Sequence, residues 1–110
     1  MEPITVTALI ELIHTSEYEY TRRKAAESLG QIGKGNPEAI AALIELIHTS
    51  EDEDTRRLAA ESLGKIGQGN PEAIAALIEL IHTSEDEDTR SLAVESLGKS
   101  EKGTQKRSQL

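Results

Sequence analysis

Between residues 36 and 67 the chain carries two helical apolar patterns separated by a polar break. In the first, Ile40, Leu43, Ile44 and Ile47 stand at i, i+3, i+4 and i+7, the spacing of one core-facing stripe. Ala39, Ala42 and Leu46 widen it on one flank, and Glu38, Ala41, Glu45 and His48 occupy the opposite, solvent side of the wheel. Asn36 reads as the N-cap and Pro37 as the first helical residue, where a missing N–H is harmless and φ is already helical. Pro3, Pro37 and Pro71, all the prolines of the chain, share this position. Ser50-Glu51-Asp52-Glu53 has capping-box spacing and predicts the start of a second helix, its acidic residues suiting a helix N-terminus. That helix turns Thr55, Ala59, Ser62, Leu63 and Ile66 to the core and ends at Gly67, expected in the left-handed C-cap conformation. The two helices span about 12 and about 14 residues, or roughly 18 and 21 Å.

The pattern recurs. Ala8–Ser16 reappears as Ala42–Ser50 and as Ala76–Ser84, an offset of 34 residues each time. Residues 36–65 and 70–99 differ only at Arg57/Ser91 and Ala60/Val94. Periods of this length belong to units that bury a face only by stacking on a neighbour. The predicted fold is therefore all-α, an α-solenoid of three stacked antiparallel helical hairpins: repeat one at 1–35, repeat two at 36–69 and repeat three at 70–99. Residues 100–110, polar and patternless, are expected to form a disordered tail.

A wheel for the second helix of each hairpin puts Leu58 on one flank, and Arg56, Ala60 and Gly67 on the other. Arg57, Glu61, Gly64 and Lys65 run between them, away from the first helix. If these helices pack side by side, the small Ala60 and Gly64 admit the next one, and Leu58 meets Ala26 and Gly30 of the unit before. Lys24 stands where Leu58 would be, as a terminal repeat facing water requires. At the other end Val94 replaces the small Ala60 and leaves an apolar residue without a neighbour, which predicts weak self-association through this end.

Composition narrows the function. Only 36% of residues are hydrophobic, with no Trp or Phe, so periodicity rather than bulk hydrophobicity argues against disorder. Twelve Lys and Arg against 20 Asp and Glu leave a net charge of −8, which disfavours nucleic acid and anionic membrane as partners. With no Cys there is no disulfide framework, thiolate nucleophile or Cys-rich zinc site. No apolar run approaches the ~18 residues of a membrane span, and no leader resembles a signal peptide, so a cytoplasmic protein is expected.

Candidate chemistry is sparse. His14, His48 and His82 recur once per unit, but helices about 8–10 Å apart would not converge three rings on one metal, and a helix-dipole role is the plainer reading. Glu51–Asp54 and Glu85–Asp88 lack EF-hand spacing and read as caps and arginine partners. The glycine-rich turns at 33–36 and 67–70 fall short of a phosphate loop. No catalytic relay can be assembled, so no enzyme activity, metal or cofactor is expected. The surface left for function is the outer stripe of the second helices: Arg23, Glu27 and Gln31; Arg57, Glu61 and Lys65; Ser91, Glu95 and Lys99. A solvated face would explain one such stripe. Three in register, with the acidic loops beside them, suggest a non-enzymatic module that binds a protein partner.

Thr55-Arg56-Arg57-Leu58-Ala59-Ala60-Glu61-Ser62-Leu63-Gly64-Lys65-Ile66-Gly67, followed by Asn70-Pro71-Glu72-Ala73-Ile74, resembles the HEAT-like repeat of the phycobilisome-lyase type. Similar arrays occur in cyanobacterial NACHT-type NTPases, which implies a cyanobacterial-type scaffold. The resemblance also implies an ion pair between an acidic residue and the helix arginine: Asp52 or Asp54 with Arg56, and Asp86 or Asp88 with Arg90. In repeat one Tyr18 and Tyr20 replace both aspartates beside Arg22. Tetratricopeptide repeats share the period, but their aromatic positions are empty here. Fold analogy supplies an enzymatic alternative, a bilin lyase-like subunit assisting chromophore attachment to a phycobiliprotein.

Overall fold

The computed structural model describes residues 2–101, and the expected disorder of residues 102–110 lies outside them. Six α-helices follow one another: α1 (Glu2–Thr15), α2 (Glu19–Ile32), α3 (Pro37–Thr49), α4 (Glu53–Ile66), α5 (Pro71–Thr83) and α6 (Glu87–Ser100). Among the described residues there is no strand. The fold is thus all-α and solenoid-like. Ser100, assigned to the tail by the sequence, is instead the last residue of α6 and is buried.

Local chemistry explains the helix ends, with two corrections. Asn36 and Asn70 cap α3 and α5 as expected, each side-chain oxygen accepting from the backbone N–H three residues on at 2.9 Å. The cap of α4, however, is Asp52 and not Ser50: Asp52 Oδ2 accepts from Thr55 N at 2.9 Å, and Asp86 does the same for Thr89 in α6. Ser50 closes α3 and its hydroxyl accepts from Asp52 N at 3.1 Å, so serine shapes the turn and aspartate, two residues later, takes the helix. Gly67 has φ −102°, outside the left-handed region. The left-handed glycines are Gly35 and Gly69, at φ 72° and 76°. Gly67 is needed for space, since a Cβ there would stand 2.6 Å from Ala73 Cβ.

The helices form two layers. Helices α1, α3 and α5 lie in one and α2, α4 and α6 in the other, each helix packing on its chain successor across the layers at α1–α2, α3–α4 and α5–α6. The whole measures 44 × 37 × 16 Å, thin enough for two helices at 8–10 Å spacing. Within the second layer α2 packs closely on α4, and α4 on α6; within the first layer neighbours touch sparsely. The seam between α2 and α4 is made by Gly30 against Ser62, and the seam between α4 and α6 by Gly64 against Ser96. Ser62, which the wheel does not place there, is the residue nearest Gly30; Gly64 admits the next helix as its small size predicts, and is buried in the seam and absent from the outer stripe. A hydroxymethyl fits against a bare glycine backbone where a leucine would hold the helices apart.

The core runs through both layers, with Leu29, Leu43, Leu46, Leu63, Ile66 and Leu77 almost fully enclosed. Ala39, Ile40 and Ile47 are buried as the wheel requires, but Leu46, expected on the flank, is 1% exposed, whereas Ile44, expected in the centre, is only half-buried. The neighbouring repeat decides this, because it covers a flank that a single-helix wheel counts as peripheral. In α1, which has no helix before it in the described structure, the Leu46 equivalent Leu12 is 41% exposed, and in α5 the Ile44 equivalent Ile78 is 39% exposed. Lys24 is exposed while Leu58 and Leu92 are half-buried, in keeping with a helix that has no predecessor in the described structure.

Candidate interaction surface

Where one repeat meets the next, near the N-termini of α4 and α6, the acidic residues assemble into a polar ladder. Asp52, at the cap of α4, accepts from Arg23 of α2 at 3.2 Å, and Asp86 accepts from Arg57 of α4 at the same distance. The sequence resemblance pairs these aspartates with Arg56 and Arg90. The structure instead turns Arg56 to Glu53, at 3.7 Å, and Arg90 to Glu87 and to the Ser84 carbonyl oxygen at 3.2 Å. In each case the same oxygen, Oδ2, takes the cap bond from the helix N-terminus and the arginine of the previous repeat.

Glu19 and Glu53 complete the ladder, and sequence reasoning gave them no such role. Glu19 Oε2 accepts from Ser50 Oγ at 3.0 Å and lies 2.6 Å from Thr55 Oγ1, which is itself 2.9 Å from Asp52 Oδ2. One threonine proton is thus shared between two carboxylates of successive repeats. Thr89 stands in the same way between Glu53 and Asp86. Both threonines are completely buried. The Asp52 carboxyl is held below the usual carboxylate range by the Thr55 backbone N–H, the Thr55 hydroxyl and then Arg23, against the opposing effect of burial. Asp86 is lowered by the equivalent donors, Thr89 and Arg57. The signal for this network was present in the sequence as Glu and Thr recurring every 34 residues, joined by Asp at 52 and 86.

The outer stripe divides into engaged and free groups. Arg23 and Arg57 are half-buried and committed to Asp52 and Asp86, and Arg57 also bonds Asp54. Glu27 pairs with Lys24 at 3.3 Å. Gln31, Lys65, Ser91, Glu95 and Lys99 are exposed and Glu61 is half-buried, and none of these six has a side-chain partner among the described residues. Val94 is 55% exposed on α6.

The first layer has its own polar pairs. His14 Nε2 lies 2.9 Å from Glu45 Oε1, and His48 Nε2 lies 3.3 Å from Glu79 Oε1. Each histidine therefore reaches the next helix of its layer, a role beyond the helix-end position read from the sequence. Among the described residues no cluster of three metal-ligating side chains forms, and no helix is long and apolar enough to cross a membrane.

Comparison with curated proteins finds no match. The family model for HEAT repeats matches residues 6–98, which takes in α2 to α5 whole, most of α1 and α6, and both rungs of the ladder. A stack of paired helices sewn together by contacts that recur from one unit to the next is what that family would require, and the chain belongs to the HEAT-repeat family.

Proposed function

We propose that this protein is a non-enzymatic scaffold that holds a protein partner against the outer stripe of α2, α4 and α6 and the acidic loops beside it. HEAT repeats commonly mediate protein–protein interaction. One observation carries the choice of surface: α2, α4 and α6 lie side by side, so their unpartnered Gln31, Glu61, Lys65, Glu95 and Lys99 project from one layer. Charged side chains in a row cost little to leave in water and give orientation to a docked partner. The residues from Thr55 to Gly67 support the phycobilisome-lyase subtype, and the 34-residue spacing supports counting the six helices as three hairpins. A quantitative pull-down with immobilised wild type and with a Glu61→Lys, Lys65→Glu variant tests the surface. Partners captured by wild type and lost by the variant are expected, and equal recovery by both counts against it.

The exposed Val94 and Ile78 support a weaker contact, self-association through the α6 end. Sedimentation across a hundredfold concentration range, with Val94→Ala as control, is expected to show an oligomer for the wild type alone; a constant monomer mass ends the idea.

A further inference from the structure

The first layer differs from the second in chemistry as well as packing. α1, α3 and α5 contain no lysine or arginine; the basic residues of the chain lie in α2, α4, α6, the turn at Lys34 and residues 102–107. Because α3 and α5 touch sparsely, a groove of about 570 Å³ opens between them, floored by Pro37, Ile40 and Ile44. Glu45 and Glu72 stand on its rim. One repeat earlier a groove of about 410 Å³ between α1 and α3 has Val6 and Ile10 in the same positions and Glu38 at its edge. Two equivalent apolar slots with carboxylate rims therefore sit side by side on a face free of lysine and arginine.

We propose that this face is a second docking site, separate from the α2–α4–α6 surface, for a basic amphipathic helix of a protein partner. Charge selects the occupant. An apolar slot alone would accept any greasy side chain, but Glu38 and Glu72 have no ion-pair partner among the described residues and Glu45 meets only His14, at 2.9 Å, so the rims favour lysine or arginine flanking the slots. Spacing selects the form. Slots one helix apart lie about 10 Å from each other, and apolar side chains at i and i+7 of a helix are about 10.5 Å apart along its axis. A helix laid across α1, α3 and α5 could seat one anchor in each slot, with its basic residues over Glu38, Glu45 and Glu72.

The test uses a fluorescein-labelled 16-residue helical peptide carrying two leucines seven positions apart and lysines on either side, titrated into the full chain and followed by anisotropy. Saturable binding that weakens with added salt is expected. Exchanging both leucines for serine should abolish it. The Glu38→Gln, Glu45→Gln, Glu72→Gln variant, checked for native circular dichroism, should bind about tenfold more weakly, while Glu61→Lys on the other layer should bind as wild type does. Absent binding, or binding indifferent to the three glutamines, overturns the proposal. Equal loss on Glu61→Lys moves the site to the second layer and overturns it too. Tighter binding by a Lys102→Ser, Lys106→Ser, Arg107→Ser variant overturns it in favour of the chain's own C-terminal residues as the occupant.

Discussion

Three glycines occupy the same place in the repeat, Gly30, Gly64 and Gly98, and the structure predicts opposite outcomes for replacing them with alanine. Each substitution removes a helix-breaking residue, a gain of about 0.5–1 kcal/mol. At Gly98 nothing lies within 4 Å of the new Cβ, so the gain stands, toward its lower end because the residue is in the last turn. At Gly64 the new Cβ falls 2.8 Å from Ser96 Cβ and 3.0 Å from both Ser96 Cα and its carbonyl oxygen. Carbon atoms prefer about 3.5–4.0 Å, and two of the three obstacles are backbone, so α4 and α6 must separate. Overpacking of this kind costs about 1–3 kcal/mol, which outweighs the helical gain and leaves a net loss of about 1–2 kcal/mol. Gly30→Ala, against Ser62 at 2.7–3.1 Å, should behave like Gly64→Ala. Urea denaturation followed by circular dichroism reads the difference directly. A change of 1 kcal/mol corresponds to about 4–8 °C in melting temperature for a domain near this size. Adding Ser96→Gly to Gly64→Ala should restore part of the loss, since it clears the Cβ contact and leaves the backbone ones. Shifts of the same sign and size for Gly64→Ala and Gly98→Ala would refute the close seam between α4 and α6.

The polar ladder and the buried end of α6 give three more expectations. Thr89→Val, which removes a fully buried hydroxyl from between Glu53 and Asp86, should cost about 1–2 kcal/mol, whereas Thr21→Val at the equivalent place in α2, where the hydroxyl has no partner among the described residues and position 18 is Tyr, should stay within about 0.5 kcal/mol of wild type by the same denaturation. Asp52 and Asp86 titrate below their unfolded value, so the stability they contribute is present above about pH 4 and is lost as pH falls through their folded pKa; an Asp52→Asn, Asp86→Asn variant should show a shallower loss of melting temperature between pH 5 and about pH 2, and an unchanged slope would contradict the assignment. Ser100 Oγ is buried without a hydrogen-bond partner among the described residues, so Ser100→Ala should raise the melting temperature, by the equivalent of about 1 kcal/mol, and a fall would show that the hydroxyl is satisfied in solution.

What the sequence made legible was whatever depends on one helix or on one hairpin. The proline positions, the Asn36 and Asn70 caps and the burial of Leu43 and Leu63 follow from local chemistry and a 3.6-residue period. The assignments that changed all depend on the next repeat. Ser50 and Asp52 are both capping residues two positions apart, and only the path of the chain between α3 and α4 chooses between them. Arg56 looks like the natural partner of Asp52 at i+4, yet the bond goes to Arg23, 29 residues away. Glu19 to Thr55 spans 36 residues and His14 to Glu45 spans 31. No helical wheel contains those offsets; they follow from the packing of α2 on α4 and of α1 on α3. The stripe positions lie on helices of the second layer, but its two arginines are held in the ladder, and Gly64, read both as an outer position and as a small residue admitting the next helix, lies in the seam.

The same offsets explain most departures from the repeat. A rung needs an arginine in one unit and an aspartate in the next, as in Arg23 with Asp52 and Arg57 with Asp86. Extending the series one step toward the N-terminus calls on position 18, which holds Tyr; one step toward the C-terminus calls on position 91, which holds Ser. Each half-rung without a partner in the described structure has been replaced by a residue that can be left uncharged in water. Lys24 in place of Leu58 follows the same logic for an apolar contact. The Arg57/Ser91 difference, which in the sequence suggests variation in a recognition surface, is therefore accounted for by stacking, and the stripe residues left without a side-chain partner among the described residues include Glu61, Glu95, Lys65, Lys99 and Gln31. Val94 runs against this logic, adding apolar surface to a flank where its equivalent, Ala60, is covered by α6. A flank trimmed for water would carry lysine there, as α2 does at position 24. Exposed apolar surface lies at both ends, at Leu12 and Ile32 as well as Ile78, but Val94 gains apolar bulk over its equivalents Ala26 and Ala60.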